Sequence, residues 1–306
     1  MTTTKDIKYA TMAQKFGLLR DEPLKPYTSF KVGGPADLLA LPKTVEELKA
    51  LLGYAAQQDI PVTLLGGGTN VLVSDKGIRG LVIVTIGLKS GVRITASSPK
   101  ETLVAAEAGE RLSTVCRFAL DHSLSGLEFA AGIPGTLGGA LAMNAGTKAG
   151  DMSGIIRDIQ IVDPKTLSLE IVERKNLEFS YRCLELPGII VAATLALKPA
   201  DRMEIEKTVQ KNLSFKKATQ PISAASAGCF FKNPAQGMPA GELIEKSGLK
   251  GTDFNGARVS DIHANYIINT GNATCDDILR LQRHIQDTVF NAFKIKLETE
   301  VRVEGE

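Results

Sequence analysis

The segment Pro61–Val73 reads PVTLLGGGTNVLV and indicates the fold more strongly than any other part of the chain. Apolar and β-branched residues flank the glycines, so the pattern predicts a strand, a glycine loop and a second strand. Neighbouring glycines leave backbone N–H groups unshielded and allow positive φ, as a loop that binds phosphate oxygens requires. A tight structural turn is the alternative interpretation. The candidate binding residues are Gly66, Gly67, Gly68, Thr69 and Asn70.

This loop differs from two common nucleotide-binding motifs. It lacks the Gly-Lys-Ser/Thr ending of a nucleoside-triphosphate P-loop, and the pattern after it predicts a strand where the dinucleotide fold of dehydrogenases has a helix.

A second glycine cluster, GIPGTLGGA, covers residues 132–140 and precedes Asn144 and Gly146. Its glycine content predicts neither a regular helix nor a strand. Backbone of this kind can approach a large flat ligand, although a glycine-rich connection through a crowded interior explains it too. Two such clusters in one chain favour a bound cofactor. The candidate contacts are Gly132, Ile133, Pro134, Gly135, Thr136, Gly138, Gly139, Asn144 and Gly146.

Periodicity outlines the remaining elements. Thr44–Gln58 predicts a helix with a capping box at Thr44 and Glu47, and Ser113–His122 predicts a short capped helix. Polar residues 203–217 predict a helix after a break at 198–201, and a long helix starts at Thr274. Predicted strands include 80–84, 102–107, the three consecutive strands 159–163, 169–172 and 189–197, then 228–231 and 266–268.

Composition restricts the class of protein. The chain has 306 residues, 43% of them hydrophobic and 23% charged, which predicts a globular protein of about two domains. Its net charge of +2 and short basic cluster argue against nucleic-acid binding. Residues Met1–Asp6 contain no apolar stretch before a small-residue cleavage site, and the chain has no run of about 18 apolar residues, so a cytoplasmic protein without a leader peptide is expected. Four scattered cysteines are expected to be thiols, and three lone histidines predict no metal site.

Further motifs are individually weak. They are Tyr181-Arg182, the segment AGCFFKNP that contains Cys229, Lys232 and Asn233, the segment VSDIHANY that contains Asn265, and LETEVR with Glu300 and Arg302. A surface ion pair, a buried hydrophobic cysteine or a turn asparagine would explain each of them separately.

In combination and in this order, the motifs resemble the UDP-N-acetylenolpyruvoylglucosamine reductase (MurB) family. The resemblance extends from YTSFKVGGPA at 27–36 through GGGTN, SGLEF at 125–129 and GIPGTLGGA to Glu300-Val301-Arg302. The short connection between Cys183 and Ile189 is similar to the group that lacks an extra tyrosine-bearing loop.

The resemblance implies an α+β fold. A two-part FAD-binding lobe of the PCMH/vanillyl-alcohol-oxidase type would occupy residues 1–200, with its subdomain boundary near residue 80. A smaller α+β substrate lobe would occupy 201–297, and a C-terminal strand at 298–306 would return to the flavin. FAD would be held without a covalent bond, with Arg302 and both glycine clusters contacting it.

The implied reaction is reduction of the enolpyruvyl ether of UDP-N-acetylglucosamine, with NADPH reducing the FAD first. Hydride addition develops negative charge beside a carboxylate, so the site needs cations and hydrogen-bond donors there. Arg182 and Glu300 match the positions assigned to this task. The family's proton donor is a serine, which Cys229 replaces here. Thiols have an ordinary pKa of about 8.5 and can donate a proton near neutral pH.

The resemblance also implies the substrate contacts, which are Tyr181, Lys217, Lys232, Asn233 and Asn265. Because Thr219 stands where the family commonly has lysine, Lys216 or Lys217 is expected to bind the diphosphate. A monomer or weak dimer is expected. Two alternatives are another FAD oxidoreductase of the same fold and a catalytically silent flavin-binding module.

Overall fold

The computed structural model describes residues 4–306. The expectation that a leader peptide is absent rests partly on residues 1–3, which lie outside the described residues. The helices are α1 (Thr4–Phe16), α2 (Val45–Gln57), α3 (Leu112–Asp121), α4 (Leu137–Ala142), α5 (Arg202–Thr219), α6 (Ala240–Lys246) and α7 (Cys275–Phe293).

Most strands are short, and strand β15 is the longest. In chain order they are β1 (Leu19–Pro23), β2 (Pro35–Ala40), β3 (Val62–Leu65), β4 (Val71–Val73), β5 (Ile78–Val84), β6 (Val92–Ser97), β7 (Thr102–Glu107), β8 (Leu124–Ser125), β9 (Gly146–Thr147), β10 (Gly150–Asp151), β11 (Ile156–Val162), β12 (Leu169–Glu173), β13 (Glu178–Ser180), β14 (Cys183–Glu185), β15 (Ile189–Pro199), β16 (Asp253–Phe254), β17 (Ala257–Val259), β18 (Ile267–Asn269) and β19 (Arg302–Glu304). The mixture confirms the predicted α+β class.

The chain divides into two compact units. Among the described residues, the first unit contains those up to residue 17 together with 40–67 and 83–216, and the second contains 18–39, 68–82 and 217–306. The lobes predicted from the sequence are defined by the ligand that each would bind, with boundaries at residues 200 and 297. This division stays a prediction.

The first unit is built on an antiparallel sheet in the order β12-β11-β15-β7-β6, with β8 pairing with the end of β15. Alternate residues of β15 are buried, among them Val191, Ala193, Leu195 and Leu197. This two-residue period puts one face of the sheet on the core. The three strands predicted in this region exist, but the hairpin β13–β14 lies between β12 and β15, so they are not consecutive.

Helix α4 contradicts the prediction that the second glycine cluster forms no regular helix. The Thr136 side chain caps it by accepting a hydrogen bond from the Gly139 N–H at 3.3 Å. Gly138 packs so closely on Ala108 that a Cβ would lie 2.8 Å from the Ala108 Cβ. The cap and the close packing outweigh the low helix propensity of glycine.

The second unit contains the antiparallel pair β1–β2, the sheet β16-β17-β18 and the parallel pair β4–β19. Helix α7 begins after Thr274, which forms a capping box with Asp277, and this confirms the predicted start. Its buried face joins the aromatic core of Phe30, Phe230 and Phe231. That face consists of Ile278, Leu281, Ile285 and Val289.

Two local predictions need correction. Residues 228–231 form no strand, because Gly228 has a φ of +80° and Phe231 makes only one isolated bridge, with Thr299. Helix α3 has Arg111 at its N-cap with no side-chain capping bond.

Helix α2 has half of the expected capping box. Thr44 accepts from the Glu47 N–H at 3.1 Å, but the Glu47 carboxylate accepts from the Lys43 N–H at 2.7 Å.

Two features are absent from the described residues. None of the helices in 4–306 combines the length and the apolar character that a membrane span requires. Nor do residues 4–306 contain a group of three or more His, Cys, Asp or Glu side chains that could hold a metal ion.

Candidate active site

The two glycine clusters contact each other within the first unit. A Cβ on Gly67 would lie 2.9 Å from the Gly135 Cα, and one on Gly66 would lie 3.0 Å from the Thr136 Oγ1. Side chains at these positions would force the backbones apart, so glycine is required by packing. The sequence showed both glycine clusters, but it did not predict that they pack against each other.

The rest of the loop belongs to the second unit. Gly68 has a φ of +63°, and a Cβ there would overlap the carbonyl oxygen of Tyr27. The Gly68 carbonyl accepts from the Ser29 N–H at 2.9 Å. Among the described residues, no hydrogen-bond acceptor engages the N–H groups of Gly67, Gly68 or Thr69. These N–H groups are therefore available to an anionic ligand.

Arg182 lies at the tip of the hairpin β13–β14. Ser180 pairs with Cys183, so Tyr181 and Arg182 form the two-residue turn, and Arg182 has the left-handed φ of +58°. Its Nη1 donates to the Gly146 carbonyl at 3.2 Å, and its guanidinium carbon lies 5.2 Å from the centre of the Tyr181 ring. The turn and these two contacts fix the direction of the guanidinium.

Asn144 connects this turn to the end of the second glycine cluster. Its Nδ2 donates to the Ser180 carbonyl at 3.1 Å, and its Oδ1 accepts from the Ser153 N–H at 3.1 Å. Asn144 has a φ of +38°, which asparagine tolerates better than most residues. The predicted flavin contacts Asn144 and Gly146 are thus hydrogen-bonded to the hairpin that carries Tyr181 and Arg182.

Lys216 is buried beside Cys116. Its Nζ donates to the Ala131 carbonyl at 2.7 Å, and burial lowers the pKa of Lys216 to about 8. Burial also raises the pKa of the Cys116 thiol to about 12, although Lys216 acts in the opposite direction. Lys217, the next residue on α5, is exposed.

In the second unit, Asn265 holds the residues that follow Cys229. Its side chain accepts from the Phe231 N–H at 2.9 Å and donates to the Phe231 carbonyl at 2.8 Å. Its own carbonyl accepts from the Phe230 N–H at 2.7 Å. The buried side chain thus supplies hydrogen bonds that a neighbouring strand would provide in a sheet.

Glu300 is attached to the same residues. Its N–H donates to the Phe230 carbonyl at 2.8 Å, and its own carbonyl accepts from the Asn70 Nδ2 at 3.1 Å. The Arg302 N–H donates to the Asn70 carbonyl at 3.1 Å. Cys229, Asn265 and Glu300 therefore meet around the backbone of Phe230, although they are far apart in sequence.

Sequence reasoning missed Tyr266, which it treated only as the start of a strand. The Tyr266 hydroxyl lies within hydrogen-bonding reach of the Cys229 side chain. Burial raises the pKa of Tyr266, and the nearby Cys229 and Glu300 raise it further. The sequence feature that could have indicated this role is a tyrosine directly after Asn265, at a position that the structure buries. A buried tyrosine hydroxyl usually has a hydrogen-bond partner.

Two predicted substrate residues lie near the surface. Lys232 is partly exposed, and its Nζ lies 3.8 Å from the Glu298 carboxylate. Asn233 is exposed and accepts from the Ala240 N–H at 3.0 Å.

Comparison with protein-family models defines the class of the protein. The FAD binding domain model matches residues 36–166, and the model of the UDP-N-acetylenolpyruvoylglucosamine reductase C-terminal domain matches residues 220–304. The first match indicates an FAD-binding domain, and together with the relatives described next it places the chain among the FAD-dependent oxidoreductases.

Relatives define the family. The UDP-N-acetylenolpyruvoylglucosamine reductase of Caldanaerobacter subterraneus subsp. tengcongensis is 42% identical over 94% of each chain, and that of Levilactobacillus brevis is 41% identical over 97% of this chain and 96% of its own. The crystal structure of the reductase (MurB) from Thermus caldophilus superposes with a TM-score of 0.78 at 35% identity and covers 92% of this chain and 97% of its own. The chain belongs to the UDP-N-acetylenolpyruvoylglucosamine reductase family.

The residues present fit FAD. Gly67 packs directly on the Gly135 backbone with no side chain between them. The N–H groups of Gly67, Gly68 and Thr69, which no acceptor among the described residues engages, suit the oxygens of a diphosphate.

Proposed function

We propose that the protein catalyses the NADPH-dependent reduction of the enolpyruvyl ether of UDP-N-acetylglucosamine to UDP-N-acetylmuramate, a peptidoglycan precursor. The observation that carries the proposal is the arrangement around Phe230. Its backbone N–H binds Asn265 and its carbonyl binds the Glu300 N–H, beside Cys229. Cys229, the proton-donor position of the family motif, precedes Phe230 in the chain, and Glu300, the acid position, is hydrogen-bonded to Phe230, which supports the proposal.

When bound, FAD would supply the hydride-transfer chemistry between NADPH and the enol-ether double bond. The residues proposed to hold it are those of the two glycine clusters together with Asn70, Asn144 and Arg302. Their fixed backbones would orient the cofactor without a covalent bond.

Arg182 is proposed to bind the substrate carboxylate and to stabilise the charge that develops beside it. A guanidinium whose direction is set by Tyr181 and the Gly146 carbonyl needs little reorganisation when the charge appears. Glu300 is proposed to donate a further hydrogen bond in its protonated form. Cys229 is proposed to deliver the proton to the carbon beside the carboxylate.

Lys217, Lys232, Asn233, Tyr181 and Asn265 are proposed as substrate contacts. The burial of Lys216 supports Lys217 as the diphosphate partner, because the Lys216 ammonium already donates to the Ala131 carbonyl. The exposed Lys217 can reach a soluble nucleotide at lower cost, since a charge already in water loses less solvation.

We further propose a cytoplasmic location, where the nucleotide substrate and NADPH are available, and a monomer or weak dimer. Supply of this precursor would link the enzyme to cell-wall biogenesis, cell shape and division.

The test is direct. The purified protein is reconstituted with FAD, its visible spectrum is recorded, and NADPH oxidation is followed with and without enolpyruvyl UDP-N-acetylglucosamine. Substrate-dependent oxidation with formation of the lactyl ether is expected. A protein that stays colourless after FAD addition, or that oxidises an alcohol with oxygen but ignores the enolpyruvyl substrate, would refute the proposal.

A further inference from the structure

Tyr266 is held firmly in the second unit. Only 8% of the residue is exposed. Its N–H donates to the His263 carbonyl at 3.0 Å, and its carbonyl accepts from the Ser260 N–H at 2.9 Å. Its ring packs edge-on against the His263 ring, with the ring centres 5.1 Å apart. Backbone and ring contacts together fix where the hydroxyl points.

That hydroxyl lies within hydrogen-bonding reach of the Cys229 side chain. The preceding residue, Asn265, fixes the backbone of Phe230 and Phe231 through hydrogen bonds to both residues. Two adjacent residues, 265 and 266, therefore hold the Cys229 segment by its backbone and by its thiol. The Glu300 N–H on the Phe230 carbonyl brings a second proposed catalytic group to the same place.

We propose that Tyr266 is a positioning residue for Cys229. Its O–H donates a hydrogen bond to the sulfur, orients the S–H bond and stabilises the thiolate that remains after the proton has left. The role in turnover rests on the function proposed above, whereas the hydrogen bond itself does not.

The proton transfer balances without Tyr266 giving up its own proton. When the carbon beside the substrate carboxylate is protonated, the S–H bond breaks, a C–H bond forms, and the electron pair stays on sulfur. Burial raises the pKa of Tyr266, so its hydroxyl stays protonated through this step. Water reprotonates the thiolate after product release.

The size of the effect follows from the hydrogen bond. A hydrogen bond to a charged group contributes more than one between neutral groups, so losing this one should change rates that depend on the thiolate by about fivefold to tenfold.

The first experiment reads the thiol without turnover. FAD-loaded wild type and Tyr266→Phe are alkylated with iodoacetamide between pH 6 and 10, and modification of the Cys229 peptide is quantified by mass spectrometry. Loss of the hydroxyl should shift the rate-versus-pH profile of Cys229 alkylation to higher pH. Near neutral pH the alkylation should slow about fivefold to tenfold. Cys116 and Cys275, each with a pKa raised to about 12 by burial, serve as slow internal references.

Tyr54→Phe is the matched control, because it removes a hydroxyl from a half-buried tyrosine on helix α2 in the first unit. It should leave the Cys229 profile in place. Equal flavin absorbance in all the proteins would show that each variant folds and binds FAD.

The second experiment separates the half-reactions by rapid mixing. Tyr266→Phe should reduce its flavin with NADPH at the wild-type rate and slow reoxidation by the enolpyruvyl substrate about fivefold to tenfold. In a Cys229→Ala background the same substitution should cause no further slowing, because the group on which it acts is gone.

An unchanged alkylation profile in Tyr266→Phe would overturn the inference, as would a slowing that adds to that of Cys229→Ala. If the profile shifts but no variant or wild type consumes the enolpyruvyl substrate, the proposed function fails while the link between Tyr266 and Cys229 stands.

Discussion

The Lys216 Nζ lies 2.7 Å from the carbonyl oxygen of Ala131, the residue directly before Gly132. One turn earlier on the same helix, the Asn212 Nδ2 donates to the Glu128 carbonyl at 2.8 Å. Two side chains of α5 therefore hold the backbone that leads into the second glycine cluster. The buried Lys216 ammonium therefore stabilises the backbone of the first unit before Gly132.

Lys216→Met should weaken FAD binding about tenfold and destabilise the fold by about 1–3 kcal/mol, because it leaves the Ala131 carbonyl without its donor. Fluorescence titration with FAD and urea denaturation measure the two effects. Lys211→Met, on the exposed part of α5, is the control and should change neither quantity. Wild-type affinity in Lys216→Met would show that Ala131 needs no anchor.

The same lysine predicts a pH dependence of stability. Burial lowers the pKa of Lys216 from 10.5 to about 8, so above pH 8 the folded state has released a proton that the unfolded chain still binds. Stability relative to Lys216→Met should therefore rise between pH 8 and 9, by about 1 kcal/mol. The raised pKa of Cys116 lowers the stability of both proteins above about pH 9, because the folded state retains a proton that the unfolded thiol loses, so this contribution largely cancels in the difference. Urea unfolding of both proteins at each pH is the test, and a flat difference would contradict it.

Gly67→Ala should destabilise the first unit by about 1–3 kcal/mol and weaken FAD binding, since its Cβ would lie 2.9 Å from the Gly135 Cα. Gly154→Ala is matched to it, because a Cβ there meets nothing within 4 Å and the φ is not positive. The control should be neutral or slightly stabilising. Equal thermal unfolding temperatures for the two variants would argue against a tight contact between the clusters.

Asn265→Ala should destabilise the protein by about 2–5 kcal/mol, because it leaves both polar groups of the buried Phe231 backbone unsatisfied. Asn233→Ala, which removes one hydrogen bond from an exposed side chain, should cost about 1 kcal/mol or less. Denaturant midpoints measure both. Similar losses in the two variants would mean that the Asn265 clamp contributes little.

Cys229→Ala should leave NADPH reduction of the flavin nearly intact and slow reoxidation by the enolpyruvyl substrate about 10²- to 10⁴-fold, because the proton donor is lost. Cys229→Ser should retain much of the wild-type rate, since a hydroxyl can take over the donation. Rapid-mixing absorbance of the flavin separates the two steps. If both half-reactions slow equally in Cys229→Ala, the residue is structural.

Local patterns predicted the elements that local interactions stabilise. The strand–loop–strand at 61–73 and the helix that starts after Thr274 are both found in the structure. A capping residue and an apolar stripe act within a few residues, so sequence spacing is enough to recognise them. The order of motifs was likewise visible in the sequence and led to the correct family.

The incorrect local predictions involve long-range contacts. Helix α4 forms in a glycine-rich stretch because Gly138 packs on Ala108, which glycine propensity alone does not predict. Residues 228–231 lose their predicted strand because a side chain, that of Asn265, takes the hydrogen bonds of the backbone.

By itself, then, the sequence determined the α+β class, the glycine loops and Cys229 as the proton-donor candidate. Only the tertiary structure decided that Tyr266 reaches the thiol, that Lys216 is buried while Lys217 is exposed, and that Asn70 binds the carbonyl of Glu300. Asn70 and Glu300 are 230 positions apart. Such hydrogen bonds depend on distances that exist only after the core has formed, and residue types and local spacing do not specify those distances.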